Sequence, residues 1–185
     1  MFKKIESMYA NEKKEETLNR KGFYFVESGN YEEAIEYFDK ALKINPNFYD
    51  ALSNKGVALK KLGKYKEAIE CYDKLLKIRP NDAEVWSNKG NTLKGIDKYK
   101  EAIECYDKAL KVKYNFLEAV ANKGMPLNIL ASVWCNKGNA FSMLNKYNEA
   151  LKCYNKSLEI DPFFAEALEN VKVVISALKR LDKII

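Results

Sequence analysis

The tripeptide Asn-Lys-Gly occurs four times in this chain of 185 residues. Its glycines are Gly56, Gly90, Gly124 and Gly138, so the first two intervals are 34 residues and the last is 14. A period of roughly 20 to 50 residues is typical of proteins that stack copies of one small element, because a single copy cannot bury its own apolar face. This repeat, and the point where its spacing fails, limits the fold more than any other feature of the sequence.

A longer pattern emerges when the sequence is aligned on Gly22, Gly56, Gly90 and Gly138. Each copy has a tyrosine nine residues after the glycine, an alanine twelve after it and an aromatic residue sixteen after it. A proline follows in three copies, and Tyr114 takes its place in the third. The recurring residues are Tyr31, Ala34, Phe38 and Pro46; Tyr65, Ala68, Tyr72 and Pro80; Tyr99, Ala102 and Tyr106; and Tyr147, Ala150, Tyr154 and Pro162.

Within each copy, apolar residues recur every three or four positions, which is the spacing of an amphipathic helix. In the second copy this spacing predicts a first helix over Asp50–Leu62, a turn at Gly63 and Lys64, and a second helix over Tyr65–Ile78 that ends before Pro80. The small residues fit where two helices cross closely, with glycine on the first helix and alanine on the second. Each copy is therefore predicted to be a helical hairpin.

This pattern of aromatic, glycine, tyrosine, alanine and proline positions resembles the tetratricopeptide repeat. The resemblance implies an all-α fold, a right-handed α-solenoid of helical hairpins with a C-terminal capping helix and one incomplete repeat. On this alignment, residues 1–11 are an N-terminal extension, 12–114 three repeats, 130–162 a fourth complete repeat and 163–185 the capping helix. A lysine replaces the family's usual leucine before each glycine, and we expect its stem to cover apolar surface while its ammonium stays in water.

The register fails after Gly124, where the next glycine follows after only 14 residues. Residues 115–129 are predicted to be an incomplete repeat with a first helix only. Within this range we expect a break at Gly124 and Met125 and a new helix that starts at Pro126. Alternatively, the second helix of the third repeat continues to about Lys123. Either outcome interrupts the regular stacking. An unpaired helix would expose apolar residues, which either pack internally at a local kink or contact a second chain.

The resemblance also implies that the first helix of each hairpin lines a concave groove. The asparagine two residues before each glycine lies about 80° from the helix face that packs in the core, so it should face this groove, as should Cys135. An amide both donates and accepts hydrogen bonds, so a row of amides could hold an extended peptide. The alternative is that these side chains are merely solvated. The predicted peptide-binding residues are Arg20, Asn54, Lys60, Asn88, Asn91, Lys94, Asn122, Asn136 and Asn139.

A carboxylate clamp for chaperone C-termini, known in this family, fits poorly. The family's clamp has a lysine three residues before the glycine. At this position the chain has Asn19, Ser53, Ser87 and Cys135. Only the asparagine positions of the clamp match.

Composition argues against several other functions. The net charge of +6 comes from 32 basic and 26 acidic residues, and most lysines stand next to acidic residues, so no nucleic-acid partner is expected. No apolar run reaches the roughly 20 residues of a membrane span, and the N-terminus lacks the apolar core of a signal peptide, so we expect no membrane partner and a cytoplasmic location. The chain has no histidine, and Cys71, Cys105 and Cys153 occupy one repeat position, so we expect no metal, no cofactor and no enzyme activity.

The sequence thus predicts a non-catalytic scaffold or adaptor that binds a peptide or helix of a protein partner in its groove. The alternative is a structural module that assembles with itself. In that case a homodimer would form through residues 115–130 or through the C-terminal helix.

Overall fold

The computed structural model of the chain describes residues 13–119 and 127–181, with side chains described outside 113–128. Every regular element in these ranges is an α-helix, which confirms the all-α prediction. The chain divides between Pro80 and Asn81 into an N-terminal unit and a C-terminal unit. The helices are α1 (Lys14–Glu27), α2 (Tyr31–Ile44), α3 (Tyr49–Lys61) and α4 (Tyr65–Ile78) in the first unit, and α5 (Ala83–Lys94), α6 (Tyr99–Ala119), α7 (Leu127–Met143), α8 (Tyr147–Ile160) and α9 (Ala165–Leu181) in the second.

The helices pair as hairpins because glycine on the first helix lets an aromatic ring of the second helix approach the backbone. A Cβ added at Gly138 would lie 2.5 Å from the ring of Tyr154, and one added at Gly56 would lie 2.9 Å from the ring of Tyr72. Both rings are almost completely buried. No larger residue fits these positions without displacing the ring. The hairpins are α1 with α2, α3 with α4, α5 with α6, and α7 with α8.

In every hairpin, a residue with positive φ lies in the turn that follows the first helix. Gly29 and Gly63 hold this position in the N-terminal unit, and Asp97 and Asn145 hold it in the C-terminal unit, with φ between 58° and 78°. Glycine adopts this left-handed conformation without strain, and aspartate and asparagine tolerate it better than other residues. The predicted turn at Gly63 and Lys64 is found between α3 and α4.

Successive hairpins within a unit pack through small or β-branched residues of the next first helix. In α3 these are Ala51 and Ala58, both 0% exposed, and in α7 they are Val133 and Ala140. Helix α9 presents Ala167 and Val174 at the same two register positions and packs against α8. The capping helix therefore docks as the first helix of a further repeat. The superhelical hand and the domain boundaries stay predictions.

Helix α7 stacks against α6, which corrects our expectation that the stacking is interrupted here. Helix α6 continues past Tyr114 to Ala119, and α7 packs directly against it. Lys137 in α7 pairs with Asp107 in α6 at 2.5 Å, just as Lys55 in α3 pairs with Asp39 in α2 at 2.5 Å. Of the predicted incomplete repeat, 115–119 continue α6 and 127–129 belong to α7. Residues 120–126, with the expected break, lie outside the described residues, as does the extension at 1–11.

The two tryptophans of the chain, Trp86 and Trp134, both lie in first helices of the C-terminal unit. Lys108 Nζ lies 4.3 Å from the centre of the Trp86 ring, and Lys137 Nζ lies 5.1 Å from that of Trp134. The first of these cation–π contacts joins the two helices of one hairpin, whereas the second lies within α7.

Candidate functional site

Four of the predicted binding residues form a polar row on the first helices of the C-terminal unit. This polar row consists of Asn91 and Lys94 on α5 and Asn136 and Asn139 on α7, and all four are half-buried. The ammonium of Lys94 donates to Asn136 Oδ1 at 2.9 Å, which links the two helices. The structure thus brings these predicted residues onto two neighbouring helices.

A tyrosine from the second helix of each hairpin orients one asparagine of the row. The hydroxyl of Tyr106 donates to Asn91 Oδ1 at 2.8 Å, and that of Tyr154 donates to Asn139 Oδ1 at 2.9 Å. Burial raises the pKa of both tyrosines, so both hydroxyls keep their protons and act as donors. Each bond fixes the direction of one side-chain amide.

Asn139 has both ends of its amide engaged. Its Nδ2 donates to Glu166 Oε1 at 2.9 Å, and its Oδ1 also accepts from Asn170 Nδ2 at 2.8 Å. Both partners lie on α9, so the capping helix closes this end of the polar row. Asn139 is therefore already used to dock α9.

The orientation of these amides follows from the chemistry of their partners. An ammonium can only donate, so the Asn136 atom that faces Lys94 must be oxygen, and an ionised carboxylate can only accept, so the Asn139 atom that faces Glu166 must be nitrogen. With their oxygens occupied, Asn91 and Asn136 keep their NH₂ groups, and Lys94 keeps further N–H donors. The surface between α5 and α7 is consequently rich in donors.

Burial lowers the pKa of Lys94, while the nearby carboxylate of Glu166 opposes this shift. A half-buried ammonium that has lost part of its hydration interacts more strongly with an added acceptor than an exposed lysine does. Lys94 is therefore the strongest donor of the polar row.

Cys135 does not face a groove, contrary to our expectation. It is 1% exposed and packs in a cluster with Ala150, Tyr154, Ala167 and Val174. Burial, and to a lesser extent the charge of Glu166, raise the pKa of its thiol to about 12. The expectation was wrong because α9 covers this side of α7. All four cysteines are buried, so none is presented as a nucleophile.

The remaining predicted residues are divided between the two units. In the N-terminal unit, Asn54 Nδ2 donates to Asn19 Oδ1 at 3.1 Å, which joins α3 to α1. Arg20, Lys60 and Asn88 are half-buried, and Asn122 lies outside the described residues.

Sequence reasoning missed the lysine–aspartate pairs between hairpins. Lys137 is only 13% exposed, so its ammonium is paired rather than solvated as we had expected. A signal was available, because an aspartate stands seventeen residues after the glycine in the first three repeats, at Asp39, Asp73 and Asp107. The tyrosine–asparagine bonds could have been found the same way, since the asparagine directly after the glycine recurs with the tyrosine fifteen residues later.

The sequence models of the tetratricopeptide repeat match residues 25–91, 83–113 and 131–164, which together make up more than half of the chain. The chain is a tetratricopeptide repeat protein. The matched segments omit residues 114–130, where the register changes. No curated protein matches the sequence.

Several solved structures share the tetratricopeptide fold at low identity. A MamA protein is 20% identical with a TM-score of 0.75, over 91% of this chain and 85% of that one. Residues 41 to the end of MamA from Desulfovibrio magneticus RS-1 are 21% identical with a TM-score of 0.67, over 91% and 93%. The Pseudomonas aeruginosa protein pilF is 22% identical with a TM-score of 0.74, over 90% and 69%. At these identities the likeness shows the fold alone.

Membership of the family makes this chain a protein-interaction scaffold in general terms, on a fold that is generally non-catalytic. Within the part of the chain that the structure describes, none of the helices is long and apolar enough to span a membrane. In the same residues, no three potential metal ligands converge.

Proposed function

We propose that this tetratricopeptide repeat protein is a non-catalytic, cytoplasmic scaffold that holds an extended segment of a protein partner along the polar row. The contacts are made by the NH₂ groups of Asn91 and Asn136 and by the ammonium of Lys94. The observation that carries the proposal is the bond from Lys94 to Asn136, because it engages the amide oxygen and leaves the NH₂ group of Asn136 and the other N–H donors of Lys94 to bind a ligand.

A row of donors favours partner atoms that accept hydrogen bonds. Backbone carbonyls of an extended peptide recur along the chain and are available whatever its side chains are, so the row would hold a peptide with little dependence on its sequence. Hydrogen bonds from a charged donor are stronger than those from a neutral one, so the carbonyl that reaches Lys94 contributes most.

Glu166 limits which partners fit. Its carboxylate lies at the α9 end of the row, where it accepts from Asn139. A strongly acidic segment would be repelled there, so neutral or mildly basic segments are favoured over chaperone-type acidic C-termini. Asn139 itself would meet a partner only by releasing Glu166 or Asn170.

The other predicted residues are not part of the polar row, but we include them in the proposed binding surface. Arg20, Asn54 and Lys60 in the N-terminal unit, and Asn88 and Asn122 in the C-terminal unit, are proposed to contribute further polar contacts. Contact of Asn54 with a partner would compete with its bond to Asn19.

A peptide-display selection against the full chain tests the proposal. Selected peptides should bind the wild-type protein and bind the double variant Lys94→Met/Asn136→Leu at least about tenfold more weakly, since two hydrogen bonds, one of them charged, are lost. The matched control is Lys66→Met, an exposed lysine on α4, which should bind as the wild type does. Equal binding by the double variant would remove the polar row from the function.

A further inference from the structure

Helix α9 exposes several large apolar side chains, of which Val173 is the most exposed. Leu168, Val173, Ile175 and Leu181 are 41%, 58%, 39% and 46% exposed. Helix α9 docks on α7 and α8 as a first helix does, through Ala167, Val174 and Asn170. The side of this helix that points away from α7 and α8 is exposed.

Four exposed residues on that side form a regular line that we call the α9 stripe. The stripe consists of Glu169, Val173, Ser176 and Arg180, all exposed. Their spacing of four, three and four residues is that of an interhelical seam, so they lie in one row along the helix. A shallow cleft of about 410 Å³ lies along the stripe and is lined by Lys172, Val173, Ser176, Ala177 and Arg180.

The α9 stripe of one copy is complementary in charge to the α9 stripe of a second, antiparallel copy. Glu169 and Arg180 are equally distant in sequence from the midpoint between Val173 and Ser176. An antiparallel second copy therefore places Glu169 opposite Arg180 of the second copy at both ends of the seam, and Val173 opposite Ser176 of the second copy in the middle. The small side chains of Ser176 and Ala177 leave the cleft open for the opposing valine.

Negative and positive side chains lie at opposite ends of α9. The first turn of α9 carries Glu166, and its last turn carries Lys179 and Arg180. Antiparallel pairing brings opposite charges together, whereas parallel pairing would place like charges side by side. Glu169 currently pairs with Lys172 on its own helix at 3.5 Å, with both side chains more than two-thirds exposed. Such an exposed pair contributes little and does not prevent a second contact.

We propose that the protein forms a two-fold symmetric homodimer through the α9 stripe, with the two α9 helices antiparallel. The partner on this face is a second copy of the chain, because Glu169 and Arg180 of one copy then face Arg180 and Glu169 of the other, and the Val173 side chains enter the cleft. The contact involves one helix from each copy, so it is smaller than a permanent interface, and the dimer is reversible and depends on concentration. This proposal does not depend on peptide binding by the polar row.

Charge reversal provides the test, because each substitution acts twice in a symmetric dimer. Light scattering and sedimentation over a concentration series should show a monomer–dimer equilibrium for the wild type. Glu169→Arg alone, or Arg180→Glu alone, should raise the dimer dissociation constant about tenfold or more, since two attractive pairs become repulsive. The double variant Glu169→Arg/Arg180→Glu should return to within a few fold of the wild type.

Mixing the two single variants gives an independent result. One copy then carries two arginines on its stripe and the other two glutamates, so a heterodimer should form where each variant alone is monomeric. The matched control is Glu104→Arg/Lys111→Glu, which reverses two exposed charges on α6 and should leave the equilibrium unchanged. Circular dichroism confirms that every variant is folded.

Three outcomes would overturn the proposal. The wild type could remain a monomer at every concentration. A dimer could persist in both single variants, which would place the contact on another face. Finally, the double variant could stay as dissociated as the single variants, which would show that Glu169 and Arg180 do not meet across the seam.

Discussion

The ammonium of Lys137 lies 2.5 Å from Asp107 Oδ1 and joins the first helix of one repeat to the second helix of the repeat before it. Lys55 and Asp39 make the same contact in the N-terminal unit. In sequence, Lys137 and Asp107 lie on either side of residues 114–130, where the register of the repeat changes. Helices α6 and α7 therefore share with α2 and α3 the same contact between repeats.

Loss of the Lys137–Asp107 pair should weaken this docking. We expect Asp107→Asn to lower the free energy of unfolding by about 0.5–1 kcal/mol, because Lys137 is largely buried whereas Asp107 is about half exposed. Urea denaturation measures the change. The control is Lys156→Met, which breaks an exposed pair with Glu159 inside one helix and should cost less than about 0.5 kcal/mol. Equal effects of the two variants would show that the pair between helices has no special contribution.

A methyl group at Gly138 should destabilise the protein although alanine is the better helix former. The added Cβ would lie 2.5 Å from the buried ring of Tyr154, and we expect a loss of about 1–3 kcal/mol. The cost of Gly138→Ala should be smaller when it is measured by urea denaturation in the Tyr154→Leu background, because the smaller side chain leaves room for the methyl group.

Gly63→Ala should also destabilise the protein, but for a different reason from Gly138→Ala. No atom lies within 4 Å of a Cβ at this position, but φ is +73°, so we expect a loss of about 1–2 kcal/mol from backbone strain alone. The cost of Gly63→Ala should be the same in the Tyr72→Leu background. A smaller cost there would contradict its assignment to the backbone.

The stability of the protein should fall in alkaline solution. Burial raises the pKa of the Cys135 thiol to about 12 and that of Cys153 to about 11, from an ordinary value of 9.0. Because the unfolded chain releases these protons at lower pH than the folded chain does, rising pH above about 9 favours unfolding. The buried tyrosines Tyr106 and Tyr154 act with the same sign above about pH 10.

Urea denaturation between pH 7 and pH 11 measures this effect, and we expect a loss on the order of 1 kcal/mol or more from the thiols. The slope should be smaller in Cys135→Ala, while Ser53→Ala at a half-buried site without a thiol should keep the wild-type slope. A pH-independent stability up to pH 11 would be inconsistent with buried thiols at these positions.

Lys94→Met should separate stability from binding. Burial lowers the pKa of Lys94, so its charged form is held at a cost in the folded state. We expect the variant to change the free energy of unfolding by less than about 0.5 kcal/mol, and to abolish most of the peptide binding proposed for the polar row. Thermal unfolding and titration of a selected peptide are the two measurements. A strongly destabilised variant would assign Lys94 a structural role instead.

Much of the fold follows from the spacing of apolar and small residues. The second helix of the second repeat was predicted over Tyr65–Ile78, as observed, and the first helix was predicted to within one residue at each end. These contacts repeat locally within one hairpin, so a single sequence contains the information. The continuation of α6 past Tyr114 was one of two alternatives, because the loss of a proline permits a longer helix without requiring it.

The site was less predictable because it depends on neighbours that are distant in sequence. A helical wheel gives the direction of Cys135 but not the helix that covers it, and Asn170, which approaches its sulfur at 3.8 Å, is 35 residues away. The same limit applies to Asn136, whose partner Lys94 is 42 residues away. The row of asparagines follows from the repeat, but its internal bonds, which make it a row of donors, depend on how the helices pack.

The location of Trp86 and Trp134 in the C-terminal unit has a practical consequence. Intrinsic indole emission will report the melting of that half of the molecule alone, whereas far-ultraviolet ellipticity will average over every helix. Superimposable transitions from the two signals would mean that the halves unfold as one cooperative system, and separated midpoints would show that a scaffold built from like modules can lose one half before the other.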